Sequence, residues 1–172
     1  KLINRAIESI DSTYFAIWVD ADLGCPDDDF VGCDIDRSLA FVYNRDMLDG
    51  ITGCECNVGG QVNTYCDEVP LLGVDYFRGP LGPKKFAAGG GLRNPNVGEA
   101  PDTIVELPMS SFTYFLRNDT APDGGTGMGD PVQGSDYYNL LSGRWKDGTP
   151  LTDGGTGYDP LNTDVIPFAF PN

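Results

Sequence analysis

Seven aspartates crowd positions 20–36, in the run DADLGCPDDDFVGCDID: Asp20, Asp22, Asp27, Asp28, Asp29, Asp34 and Asp36. Like charges at this density repel one another unless a cation sits among them. Hard carboxylate oxygens suit calcium, which takes about six to eight such ligands from side chains and backbone carbonyls. Asp20 and Asp22 leave the preceding apolar run at alternate positions, Gly24 permits a sharp turn, and the five later aspartates can close round an ion from the other side. The segment is not an EF-hand loop: counted from Asp20, its fifth position is Gly24 and its twelfth is Val31, where that motif requires a bidentate glutamate. The competing reading is a solvated acidic turn whose aspartates cap backbone amides.

Five cysteines accompany the acid: Cys25, Cys33, Cys54, Cys56 and Cys66. Cys25 and Cys33 flank the DDD run and can staple it, while Cys54 or Cys56 can pair with Cys66; spacing alone leaves the connectivity open. The odd count leaves one thiol over, free or available for an intermolecular bridge. A zinc site drawing on Cys54, Cys56 and Cys66 lacks the usual C-x-x-C pairs. Residues 154–162, GGTGYDPLN, fit the calcium template of parallel β-helix repeats, but a single copy cannot build a site that lies between stacked turns.

Enzymatic chemistry has little to work with. The chain contains no histidine, which removes the usual serine and cysteine triads, histidine zinc sites and imidazole acid-base catalysis. No P-loop or dinucleotide fingerprint occurs, and nothing singles out a carboxylate pair of the kind that cleaves glycosidic bonds. The expectation is a protein that is not an enzyme. Tyr137, Tyr138, Trp145, Tyr158, Phe168 and Phe170, near Gly-rich loops, offer the alternative of a carbohydrate-binding module that stacks on sugar rings, although Tyr137 and Trp145 also fit a core stripe.

The elements that must position these residues read as short strands bounded by Gly, Pro, Asn and Asp. Expected strands cover residues 13–19, 38–43, 69–77, 103–107, 111–116 and 165–170. The first, TYFAIWV, is apolar at nearly every position and predicts a central strand covered on both faces. A short helix is expected near residues 131–146, with Asp130 as cap, Pro131 in the first turn, and Tyr137, Leu140, Leu141 and Trp145 on one stripe. It should stop near Gly148. Residues 79–101 and 121–129 read as loop. The pentapeptide DGGTG recurs at 123–127 and 153–157 with unmatched flanks, which points to repeated turn chemistry rather than a solenoid.

At 172 residues the chain fits one core and one domain, 1–172. Its net charge of −15 argues against nucleic acid, whose binding rests on Lys and Arg, and disfavours anionic membrane surfaces. Most of the 26 acidic residues are aspartate, a turn-former, as a loop-rich β protein requires. No stretch approaches the roughly 18 apolar residues of a membrane helix, so no membrane insertion is expected. Cysteine, glycine and proline content suit an oxidising extracellular compartment. With Lys1 at its start, the chain reads as a processed product or part of a longer polypeptide.

The succession DSTYFAIWVDADLG, DDDFVGCDIDRSLAFVYN, GVDYFRGP, SFTYFLRND and DPVQGSDYYNLLSGRWKDGTP resembles a recurrent region of large secreted surface proteins of Bacteroidetes and related phyla that end in type IX secretion sorting domains. Its most specific blocks are D-x-D-x-G, D-D-x-x-G-x-D and Y-Y-N-x-L-x-G-x-W; the insertion carrying Cys54, Cys56 and Cys66 departs from the pattern. The resemblance implies a cell-surface location, partners among other domains or copies of a surface protein, and O-glycosylation candidates at Ser12, Thr103 and Thr120. Asn118 opens an N-D-T sequon. Taken together, the expectation is an all-β, sandwich-like domain with long Gly/Asp-rich loops, a calcium-stabilised structural or adhesive unit that can join a polymeric assembly or contact glycans.

Overall fold

Residues 29–44 form the organising hairpin. The computed structural model of the chain describes residues 3–51, 53–56, 64–75, 79–83 and 103–172. Strand β1, Asp29–Asp34, pairs antiparallel with β2, Leu39–Asn44, in a register that sets Asp29 opposite Asn44 and Asp34 opposite Leu39. Strand β3, Leu71–Asp75, pairs antiparallel with the other side of β2, giving the order β1-β2-β3. A second, two-stranded antiparallel sheet joins β4, Leu81–Pro83, to β5, Ile104–Glu106. The chain is therefore β-rich with small antiparallel sheets.

The acidic run is thus not one loop. Its aspartates mask a strand, since FVGC between Asp29 and Asp34 has the apolar, partly branched character that fits a pleated surface. The expected strands at 38–43, 69–77 and 103–107 appear as β2, β3 and β5, with residues 76 and 77 outside the described set. The expected loop at 79–101 is corrected at its start, where Leu81–Pro83 form β4 by pairing with β5, and its residues 84–101 lie outside the described set.

Residues 13–19 overturn the expectation of a covered central strand. They form no strand or bridge among the described residues, and Trp18 is 69% exposed and Phe15 55%. An apolar run supplies the side chains for a buried strand but not the partner edge, and here only Tyr14 has an aromatic neighbour, edge-on to Tyr138 at 5.5 Å. Residues 111–116 and 165–170 meet without forming a ladder. Phe112 donates its N–H to Pro167 O at 3.0 Å and accepts from Ala169 N at 2.8 Å in a single parallel bridge with Phe168. Pro167 and Pro171 lack the N–H groups a longer ladder needs.

The helix α1 is Gly134–Leu141, shorter than expected at both ends. Gln133 stands at its N-cap, where Asp136 Oδ2 accepts from the backbone N–H of Val132 at 3.0 Å and of Gln133 at 3.3 Å. Asp130, the expected cap, instead accepts from Asn118 N at 3.2 Å. Gly143, at φ +76°, turns the chain out of the helix, so Trp145 lies beyond it and Tyr137 is exposed. Trp145 nevertheless centres the core. Fully buried, it packs with Ala121, Met128, Leu151 and Ala169, takes edge contacts from Tyr114 and Tyr158, and donates Nε1–H to Gly157 O at 2.7 Å. A smaller cluster, Cys33, Met109 and Phe168, backs the hairpin, and Phe112 touches both.

Candidate functional site

Of the seven aspartates, only Asp28 and Asp29 turn inward. Asp28 ends a single 3-10 turn, Pro26–Asp28, and is 1% exposed; Asp29 opens β1 half-buried. Asp20, Asp22, Asp27 and Asp36 are exposed. Asp34, at the far end of β1, forms an ion pair with Arg37, and that hydrogen-bonded guanidinium holds its carboxyl below the ordinary value. A strand's length separates Asp34 and Asp36 from Asp28, so the seven do not surround one ion.

Asp49, which the sequence reading missed, completes the inward group. Fully buried, it accepts from Cys25 N at 2.9 Å through Oδ1 and from Tyr65 N through Oδ2, while its own N–H donates to Cys66 O at 2.7 Å. Gly50 N donates to Asp28 Oδ2 at 3.0 Å, and Leu23 N to Asp29 Oδ2 at 2.8 Å. One oxygen each from Asp28 and Asp49 and the sulfur of Cys25 lie within 4.8 Å of one another. The only sequence signal for Asp49 was an acid before glycine, five residues ahead of Cys54.

Two disulfides hold this group together. Cys25 is bonded to Cys54, with Cα atoms 6.0 Å apart, and Cys56 to Cys66, at 5.3 Å. The second matches one of the expected pairings; the first replaces the expected Cys25–Cys33 staple. Cys33 faces away from Cys25 into the hairpin's core, fully buried, with Sγ donating to Ala169 O at 3.4 Å. Burial, and secondarily the Asp34 charge, push its thiol up to about 12. A thiol so placed is neither a reactive nucleophile nor within reach of another molecule, which removes the intermolecular bridge from the odd cysteine. With Cys56 and Cys66 joined and Cys54 bonded to Cys25, no thiolate set remains among them for zinc.

Among the described residues no cationic side chain pairs with the inward group: the ion pairs join Arg37 to Asp34, Arg45 to Asp46 and Arg117 to Asp119, and none reaches Asp28, Asp29 or Asp49. Asp28 Oδ1 and Asp29 Oδ1 are buried without a hydrogen-bond partner, as is Oδ1 of Asn44, the residue opposite Asp29 in the hairpin. Two ionised carboxylates with oxygens within 4.8 Å of each other repel by about 3 kcal/mol or more at an effective dielectric near 20. Burial, followed by the charges of Asp28, Asp49 and Asp22, raises the Asp29 carboxyl above its ordinary 3.8 despite the hydrogen bond from Leu23. Such an arrangement can bind a hard divalent cation through oxygen atoms, the Cys25 sulfur being consumed in its disulfide.

Comparison of the chain with protein-family models, curated proteins and solved structures finds no match. Chemistry alone guides the reading of the site.

The other sequence candidates scatter. Trp145 and Phe168 are buried and Tyr158 is half-buried with its hydroxyl donating to Asp147 at 2.8 Å, while Tyr137, Tyr138 and Phe170 stay exposed. Both DGGTG copies are turns. In the first, the Asp123 carboxylate gathers the N–H groups of Gly125, Gly127 and Met128. Ser12 and Thr120 are exposed, Thr120 with its hydroxyl on Arg117 O at 3.2 Å, and Thr103 is half-buried just before β5. Among the described residues no helix is long and apolar enough to cross a membrane.

Proposed function

We propose that the chain is a calcium-stabilised structural or adhesive module of an extracellular surface protein, with the ion held by Asp28, Asp29 and Asp49. The observation that carries this reading is the buried, unpartnered Oδ1 of Asp28 beside a fully buried Asp49, with no basic side chain paired to either among the described residues. Burying carboxylates costs several kcal/mol unless a charge compensates them. A divalent cation meets that need, and the exposed Asp22, close enough to raise Asp29, can complete the coordination through its own oxygen or a water. Two disulfides suit an oxidising compartment, and this reading places the module outside the cell among other domains or copies of a surface protein. The three-stranded sheet then serves as one layer of a small sandwich.

Thermal unfolding of the oxidised protein tests the proposal. Calcium at about 100 times its Kd stabilises by about 2.7 kcal/mol over chelator, a Tm rise of roughly 5 to 10 °C for a chain of this size. Equal midpoints in calcium and chelator would remove the ion from the account.

A second reading rests on a different observation: Tyr14 and Tyr138 form an exposed aromatic pair, with Phe15, Trp18 and Tyr137, also exposed, close by in sequence. Such rings stack on sugars. Saturable binding on a glycan array, lost in Tyr138→Ala, would favour the carbohydrate-binding module.

A further inference from the structure

We infer that the Cys25–Cys54 disulfide and the cation site form one linked device, in which closing the bridge assembles the site and an occupied site protects the bridge from reduction. The inference rests on the proposed cation reading and adds its regulation. Three connections tie the bridge to the carboxylates. The N–H of Cys25 holds Asp49 Oδ1 at 2.9 Å; the N–H of Gly50 holds Asp28 Oδ2 at 3.0 Å; and Cys54 clamps the segment bearing Asp49 and Gly50 against Cys25. Each buried acid is therefore held by a backbone group from the other's segment, and the covalent link across 29 residues keeps the two segments in contact. Among the described residues no basic side chain pairs with either acid, and Asp28 Oδ1 is buried without a partner. Without the bridge, their repulsion drives the segments apart; with it, they are preorganised for an ion.

The redox step balances simply. Dithiothreitol supplies two electrons and two protons, becomes its cyclic disulfide, and leaves Cys25 and Cys54 as thiols. Linkage then requires that the factor by which reduction weakens calcium binding equal the factor by which calcium disfavours reduction. A factor of about tenfold or more is expected, within the usual range of coupling between sites.

Two measurements test this. Calcium chloride is titrated calorimetrically into oxidised wild type and into the Cys25→Ser/Cys54→Ser variant, which keeps Cys56–Cys66. Separately, wild type is exposed to dithiothreitol with and without calcium, quenched by alkylation, and each cysteine pair followed by mass spectrometry. Expected are a Kd at least about tenfold weaker in the variant and, with reduction brought to equilibrium, a matching protection of Cys25 and Cys54, larger than that of Cys56 and Cys66, whose tie to Asp49 is the backbone hydrogen bond at Cys66 O alone. Should the variant not fold, protection of Cys25 and Cys54 in wild type decides alone. Tight calcium binding to the oxidised protein with no calcium protection of Cys25 and Cys54 would overturn the linkage and leave the cation site standing. Absence of calcium binding to the oxidised protein would overturn the site, and the linkage with it.

Discussion

The carboxylate of Asp49 accepts the backbone N–H of Cys25 at 2.9 Å, joining two positions 24 residues apart. This contact fixes where the acidic run turns inward. The neighbouring Cys25–Cys54 bridge and the Asp49 N–H on Cys66 O bring three separate segments to one buried acid. Asp28 sits beside it, Asp29 also turns inward, and the run's remaining charge points to solvent or to Arg37.

Gly24 is where that arrangement tolerates least. Its φ of +85° lies in the left-handed region, and a methyl group there would run into the Asp49 carboxylate. Gly24→Ala should cost about 1 to 2 kcal/mol from backbone strain alone, and displacement of Asp49 should abolish the calcium-dependent Tm rise. Urea and thermal unfolding of the variant, each with and without calcium, provide the check.

Asp29 makes a pH signature. Its folded carboxyl is raised, chiefly by burial and then by Asp28, Asp49 and Asp22, so just above 3.8 the unfolded carboxyl has ionised while the folded one still holds its proton. The native state then binds more protons, and this group's contribution to stability falls as pH rises through that window. In chelator, the stability of wild type relative to Asp29→Asn, read by urea unfolding upward from pH 3.8, should show this decline; calcium, which needs the ionised form, should reverse its sign. Asp34, Asp119, Asp123, Asp136 and Glu55, whose folded carboxyls are lowered, slope the other way as the unfolded chain titrates across the same window, and the comparison with Asp29→Asn subtracts them.

How much of this was legible beforehand depended on whether the signal was local. β2, with LAFVY between turn residues, carries its own strand signature, and proximity in the chain narrowed the partner of Cys66 to Cys54 or Cys56, of which Cys56 is the one bonded. β1 was hidden because its terminal aspartates look like loop chemistry, and strandedness there is conferred by pairing with β2. Residues 13–19 failed in the opposite direction: every local feature favours a strand, yet pairing is a property of two segments. Asp49 was invisible for the same reason, since burial and proximity to Asp28 arise from a disulfide whose partners no spacing rule selects.

Trp145 should dominate stability. Fully buried and ringed by Tyr114, Tyr158, Met128 and Leu151, it loses this packing and its hydrogen bond to Gly157 in Trp145→Ala, at about 3 to 5 kcal/mol. Trp145→Phe keeps most of the volume and should cost less, leaving Gly157 O unpaired. Chemical denaturation of both variants orders them; equal midpoints would contradict the core described.

Cys33 should be silent. With its thiol fully buried and pushed up to about 12, iodoacetamide should leave the native protein unlabelled at neutral pH and label one cysteine once it is unfolded without reductant. Non-reducing gels should show no covalent dimer. A dimer lost in Cys33→Ala would mean that the thiol reaches the surface.

Calorimetric titration of calcium into three oxidised proteins, wild type, Asp20→Asn and Asp49→Asn, tests the cation centre most directly. Asp20 has the best sequence credentials and is exposed; Asp49 has almost none and is fully buried beside Asp28. One saturable site in wild type, kept in Asp20→Asn and lost in Asp49→Asn, is the predicted result. Binding that survives Asp49→Asn, or no binding to wild type at all, would contradict a cation held by the buried pair.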